Sequence, residues 1–267
     1  MASVVFLHAH PDDESIATGG TMAKLAADGH RVVLVLATGG EHGEQPPDLG
    51  VGESVADRRR VETERSAELL GVASVRWLGY HDSGMTGWVQ NDDPRALARA
   101  DVDEAAGRLA EILRAEDAAV FVCYDWHGNY GHPDHVMVHR IGHRAAALAV
   151  TPAVYEATMS RDHIARMIKA AREAGLTAGP RDEEFDPNDT DDGNPFGLAD
   201  DELTTSIDVT QFIESKRASM ASHASQISDS SLFLQMPAEQ FAVAFGTEWY
   251  RRFGAPAGIS EYGLAGL

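Results

Sequence analysis

Two short runs concentrate the side chains that carry out hydrolytic chemistry. His8-Ala-His10-Pro-Asp12-Asp13-Glu14 sets two imidazoles and three carboxylates directly after the apolar run Val4–Leu7, and Tyr130-Gly131-His132-Pro133-Asp134-His135 supplies a second histidine-rich cluster. Zinc and similar divalent ions take nitrogen and oxygen ligands, and a hydrolytic site commonly supplies three of them while leaving one position for water. Such a cation lowers the pKa of water to about 7, and a neighbouring carboxylate can remove its proton during attack on an amide. Pro11 stiffens the first turn, and the adjacent Asp12 and Asp13 point in different directions, so that one can bind metal while the other faces the water. His132 is a candidate donor to the oxyanion, with Asp134 expected to orient it as a supporting carboxylate. Helix capping near Ser15 would also use acids here, but four acidic or imidazole groups between His8 and Asp13 exceed what a cap requires. Their desolvation in a crevice is costly without a cation.

The elements that must position these runs follow from hydrophobic patterning. Val4–Leu7, Val32–Ala37, Val75–Leu78 and Val120–Tyr124 are short β-branched runs of the kind buried on both faces of a parallel sheet. Between and beyond them, helices are predicted over Ser15–Asp28, Ser54–Leu70, Val102–Ala115 and Pro133–Ala149, the first two stopped by Gly29 and Gly71. The alternation predicts an α/β fold, a Rossmann-like three-layer αβα sandwich with a mostly parallel central sheet. Ligands of such sheets gather beyond the carboxyl ends of the strands, where both clusters and the glycine-containing stretch Thr38–Glu44 should converge.

The 267 residues, 43% of them hydrophobic, can bury a large core within one domain spanning 1–267. A net charge of −20 disfavours nucleic acid and anionic membrane partners. Cys123 is the sole cysteine, so no intrachain disulfide can form and a reducing compartment is expected. With neither a signal-like start nor a membrane-length apolar run, the expectation is a soluble cytoplasmic protein. A homo-oligomer is compatible with this composition.

After Ala153–Ala157 and a segment over Arg161–Ala174, regularity fails. Between Arg181 and Glu202 lie ten acids, two prolines and two glycines, which predicts a loop or lid, and the part from about residue 176 is expected to form that loop and a small cap. A calcium loop with Gly193 at its sixth position would need a bidentate Glu where Ala199 stands. The tail is expected to hold a strand over Glu202–Val209 and helices over Thr210–His223 and Ala238–Phe245, with Trp249, Tyr250 and Phe253 as packing residues.

The His-Pro-Asp-Asp-Glu run at 10–14 and the His-Pro-Asp-His run at 132–135 resemble the paired signatures of the PIG-L/LmbE family of metal-dependent N-deacetylases. Arg59 and Glu62, Asp82-Ser83-Gly84-Met85 and His223-Ala-Ser225-Gln226 extend the likeness over most of the chain, most of all toward the deacetylase of N-acetylglucosaminyl-inositol in the mycothiol pathway. The resemblance implies that His10, Asp13 and His135 hold one zinc or similar ion, iron(II) included, and that Asp12 is the general base. It further implies that His132 stabilises the oxyanion, that Asp134 supports His132, and that Tyr130 closes over the carbonyl as a movable donor. Arg59 and Asp82 would contact sugar or inositol hydroxyls of a small N-acylated amino sugar or glycoside. A mycothiol-conjugate amidase or a natural-product deacetylase would use similar motifs. Trp126-His127-Gly128-Asn129 departs from the usual Pro-Asn-Gly-Gly type of stretch and adds bulk at the rim.

Two rivals remain at this level. The H-x-H-x-D-H run of binuclear metallo-β-lactamase-type hydrolases is approached by residues 8–13 but fails at Asp13, and that fold is antiparallel. A non-catalytic sugar- or nucleotide-binding module would need a phosphate-cradling turn, yet Thr18-Gly19-Gly20 lies within the first helical stretch and lacks G-x-G-x-x-G spacing.

Overall fold

A computed structural model describes residues 1–173, 186–190, 192–228 and 231–267. Among them a seven-stranded sheet runs in the order β3-β2-β1-β4-β5-β7-β6. The strands are β1 (Ser3–His8), β2 (Arg31–Thr38), β3 (Ser74–Tyr80), β4 (Ala118–Tyr124), β5 (Ala153–Thr158), β6 (Thr205–Asp208) and β7 (Thr247–Arg252). β1 to β5 pair in parallel, whereas β7 is antiparallel to both β5 and β6. β1 and β2 are almost wholly buried, as their unbroken Val/Leu runs require of strands covered on both faces. The predicted sandwich is the observed one, and its parallel core is incompatible with the antiparallel rival.

The chain reverses its direction of winding between β1 and β4, its topological switch point. A crevice opens there beyond the strands' carboxyl ends. The turns after these two strands are the two histidine-rich runs. Helix α3 (Val55–Leu69) starts at a capping box, with Ser54 Oγ accepting from the Asp57 amide while Asp57 accepts from the Ser54 amide, and Gly71 leaves it at φ +70°. Helices α4 (Val102–Ala115) and α5 (Pro133–Ala149) pack against each other, and α5 begins inside the second cluster with His132 as its cap and Pro133 in its first turn.

Three expectations change. The single helix over Ser15–Asp28 is two, α1 (Asp13–Ala17) and α2 (Gly19–Ala27), broken at Thr18, whose hydroxyl is drawn to His8 Nε2 at 2.8 Å. Gly20 is there for closeness: a Cβ at this position would lie 2.5 Å from Val209. The tail also contains an unpredicted strand, β7, because Glu248 disguises it. That carboxylate is buried, bonded to Lys216 Nζ at 2.6 Å and to the amides of Gly20 and Thr21 at the start of α2. Trp249 and Tyr250 do pack inward, while Phe253 is exposed. Finally, β6 and β7, within the part from about residue 176 expected to form a loop and cap, join the central sheet; the predicted lid falls partly on residues 176–185 and 191, which lie outside the described residues, and its described remainder is a loop that meets the second cluster at Tyr130. No helix among the described residues is long and apolar enough to cross a membrane.

Candidate metal centre

Asp12 adopts φ +93°, a region costly for a non-glycine residue and kept only where surroundings enforce it. The enforcement is visible. Its amide donates to Glu14 Oε2 at 3.0 Å, its carbonyl accepts the Ser15 amide at 3.0 Å, and Arg59 Nη2 meets its Oδ2 at 3.2 Å. This twist sends the Asp12 and Asp13 carboxylates to different sides. Asp13 Oδ2 accepts the His10 amide and lies 3.4 Å from both His10 Nδ1 and His135 Nε2.

Those distances suit a shared cation. Bonds of about 2.0–2.1 Å in a tetrahedron place neighbouring ligand atoms about 3.3–3.4 Å apart. The imidazoles are also held as ligands must be. His135 Nδ1 is 3.0 Å from the Gly128 carbonyl and donates to it, leaving Nε2 with its lone pair free; that nitrogen is buried with no hydrogen-bond partner. His10 Nε2 is 3.1 Å from Asp134 Oδ2, which leaves Nδ1 toward Asp13. A divalent cation therefore fits the donor set of His10, Asp13 and His135. His10, His132 and His135 also bring ligand nitrogens within 4.8 Å of one another, as do His10, Asp82, His132 and Asp134 with their ligand atoms. We favour the set containing Asp13, because a single oxygen of it lies 3.4 Å from a nitrogen of each imidazole and brings the negative charge that a dication requires.

His132 differs from its neighbours in chemistry. Its Nδ1 accepts the Asp134 amide at 3.1 Å, so the neutral ring carries its proton on Nε2 and is a donor. Burial, with the His10 and His135 rings beside it, pushes its pKa down to about 3. The Asp134 carboxylate does not orient His132, contrary to expectation; it bonds His10 and accepts from the Ser83 amide (2.8 Å) and hydroxyl. The reason is local: as the helix cap, His132 turns Nδ1 onto the backbone, and the Asp134 side chain points across the crevice instead.

Burial raises the Asp12 carboxyl to about 6, opposed by the Arg59 guanidinium. For Asp13, burial acts upward but the His135 and His10 rings hold the carboxyl well below the ordinary range. Arg59 is buried, and its terminal nitrogens also bond the carbonyls of Gly40 (2.8 Å) and Pro11. Asp82 accepts from the amides of Gly84 (2.7 Å) and His42 (3.2 Å), with Oδ1 3.6 Å from His10 Nε2. Tyr130 stands at the rim, 36% exposed, its ring centroid 5.0 Å from that of His135. The structure thus gathers every predicted site residue around the mouth of β1 and β4.

His8 does not join them. It is bonded to the Tyr124 hydroxyl at 2.9 Å and to Thr18, and burial lowers its pKa to about 4. Sequence reasoning missed what supports the first turn: Glu14, which bonds His223 Nε2 at 2.6 Å and the Ser66 hydroxyl, all three fully buried. The only sequence signal was the His-Ala-Ser-Gln run itself, which has no spacing that points to Glu14. Behind the second turn, Ser83 is the missed partner of Asp134.

A profile of the PIG-L family, described as GlcNAc-PI de-N-acetylase, matches residues 5–146. A 1D-myo-inositol 2-acetamido-2-deoxy-alpha-D-glucopyranoside deacetylase from Catenulispora acidiphila is 38% identical over 284 residues, spanning 98% of this chain and 86% of that protein. Among solved structures, the N,N'-diacetylchitobiose deacetylase from Pyrococcus horikoshii matches with a TM-score of 0.60 at 24% identity, over 94% of this chain and 83% of that one. The 4-carboxy-2-hydroxymuconate hydratase GalB from Pseudomonas putida matches with a TM-score of 0.56 at 18% identity, over 97% and 99%. The last two share the fold, and the hydratase shows that the fold alone does not dictate the reaction.

Proposed function

The chain belongs to the PIG-L family of de-N-acetylases, and from that premise we propose that it hydrolyses the N-acetyl group of an N-acetylglucosamine conjugate, with an N-acetylglucosaminyl-inositol as the leading substrate. The observation that carries this reading is the division between two adjacent carboxylates: Asp13 faces two imidazoles, while Asp12 is turned away by its positive φ. A divalent cation held by His10, Asp13 and His135, which we take to be zinc, supplies Lewis acidity and eases deprotonation of water. Asp12 accepts the proton of the attacking water and makes it available to the departing amine. His132 donates a hydrogen bond from its Nε2–H to the carbonyl oxygen as negative charge develops there. Tyr130, at the rim, swings in as a second donor. Asp134 fixes the His10 ring, and Arg59 and Asp82 meet the hydroxyls of the sugar or inositol. The net charge of −20 favours a neutral or cationic substrate over an anionic one. We take residues 1–267 as one catalytic domain, since β6 and β7 from its last third join the same sheet as β1 to β5.

Acetate release tests this directly. Metal-loaded protein is offered N-acetylglucosaminyl-inositol, N,N'-diacetylchitobiose and free N-acetylglucosamine, with a chelated control and an unsaturated dicarboxylate as a hydration substrate. Chelator-sensitive acetate release, greatest with the inositol conjugate, is expected. Hydration without acetate release would replace the proposed reaction, and release with chitobiose alone would replace the substrate.

A further inference from the structure

A second group of ligating side chains lies outside the crevice. His139 and His143 are one turn apart on the same face of α5, and Glu156 projects to them from β5. The three offer one ligand atom each within 4.8 Å of one another. His143 Nε2 is 2.8 Å from Glu156 Oε1, His139 Nδ1 is 3.6 Å from the same oxygen, and the two ring centroids are 4.5 Å apart. The oxygens of Glu156 divide their surroundings, for Oε2 faces the Arg251 guanidinium at 3.9 Å while Oε1 faces only imidazoles. Glu156 is buried and the two histidines are half-buried, so the set has depth as well as access to solvent.

We propose that His139, His143 and Glu156 form a second divalent-metal site, distinct from the crevice and selective for borderline ions such as Zn2+, Co2+ or Ni2+. Paired histidines at i and i+4 on a helix are a recurrent zinc-binding arrangement, and a carboxylate from a neighbouring strand completes three protein ligands. Two imidazoles with one carboxylate disfavour Ca2+ and Mg2+, which take oxygen ligands. A buried carboxylate whose arginine neighbour is half-exposed and 3.9 Å away gains charge compensation from such an ion. Its occupation clamps α5 to β5. His139 Nδ1–H donates to the Tyr124 carbonyl at 3.1 Å, which leaves Nε2 as the nitrogen that would ligate; because α5 also starts at the catalytic cluster, the clamp steadies the frame that presents His135.

The test is Co2+ titration of the metal-stripped full-length protein, followed by visible absorption and calorimetry. Wild type is expected to bind about two equivalents, and His139→Ala/His143→Ala and the milder His143→Gln about one, whereas His10→Ala/His135→Ala retains the second. Thermal melts of stripped protein verify that each variant is folded, and added Zn2+ should raise the melting temperature of the crevice variant but raise it less in the α5 variant than in wild type. Binding of one equivalent by wild type that vanishes with His10→Ala/His135→Ala would overturn the site. Two equivalents persisting in His139→Ala/His143→Ala would do the same. Neither result depends on whether the protein releases acetate, so the deacetylase reading stands or falls separately.

Discussion

The turns after β1 and β4 face the same crevice yet are held by different physics. The first is secured from beneath by a buried charged network, in which Glu14 joins the Asp12 amide, Ser66 and His223, the last carried by the chain just after the helix Ile213–Ser222. The second is secured from the solvent side. His127 Nε2 bonds Asp192 at 2.7 Å and Nδ1 bonds the Pro195 carbonyl, the Gly197 amide donates to the Asn129 carbonyl at 2.7 Å, and Tyr130 stacks on Phe196. Asp192 is part-exposed, whereas Glu14, Ser66 and His223 are fully buried. The contrast sets the proposed base Asp12 and two proposed ligands, His10 and Asp13, on a turn locked from beneath, while the third ligand, His135, follows a segment around Tyr130 that is held from the solvent side and faces what lies above the acetamide.

The largest effect expected from this contrast is at Asp12. Asp12→Asn removes the proton acceptor without touching a ligand, so turnover should fall about 10²- to 10⁴-fold with bound metal retained, as measured by acetate release beside metal analysis. His135→Ala should instead lose the crevice metal. Equal metal loss in the two variants would erase the division of labour between the adjacent carboxylates.

Glu14 comes next, since it distinguishes a rigid turn from a merely crowded one. Glu14→Ala strands the buried His223 and releases the strained Asp12 backbone, at a cost of about 3 kcal/mol in chemical denaturation together with a drop in kcat. A stability change under about 1 kcal/mol would place the Glu14–His223 pair among ordinary surface contacts and break the comparison.

Acidity sharpens it further. Asp12 works as a base only when ionised, and burial holds its carboxyl near 6, so activity should be lost as pH falls through about 6 or, with a cation alongside, somewhat lower. Arg59 opposes that rise, and Arg59→Gln should therefore move the acid limb of kcat/KM toward neutral pH. A limb left in place would mean that Arg59 serves the substrate alone and not Asp12.

Much of this frame was legible beforehand. The unbroken apolar runs of β1, β2 and β4 announced a parallel sheet, and the two histidine runs following β1 and β4 announced the crevice, because motif and strand end are neighbours in the chain. What was hidden depends on distant partners. The Glu248 carboxylate of β7 is held by Lys216 and the start of α2, far away in the chain, and Asp134 looked like a support for His132 until the fold brought His10 and Ser83 to it. Thr18 broke a helix that its residue pattern would have continued, because a hydroxyl was needed at His8.

The smallest effect is expected at the rim, and it isolates the second turn. Asp192 is part-exposed, so Asp192→Ala should cost less than about 1 kcal/mol, yet it removes the shorter of the two bonds that tie His127 to the loop bearing Phe196 and leaves only the one to the Pro195 carbonyl. The His127 ring carries Trp126, stacked on it with centroids 4.9 Å apart and 46% exposed beside the crevice. Freed, this stack shifts against the part of the substrate beyond the acetamide, while Asp12, His132 and the ligands keep their partners. Binding that is uniform between ground and transition state moves KM and spares kcat. KM should accordingly rise for the bulky inositol conjugate and stay unchanged for free N-acetylglucosamine, with kcat near wild type for both. A matching fall in kcat on both substrates would mean that the loop over the second turn holds the catalytic groups themselves, and the two turns would then be equally rigid.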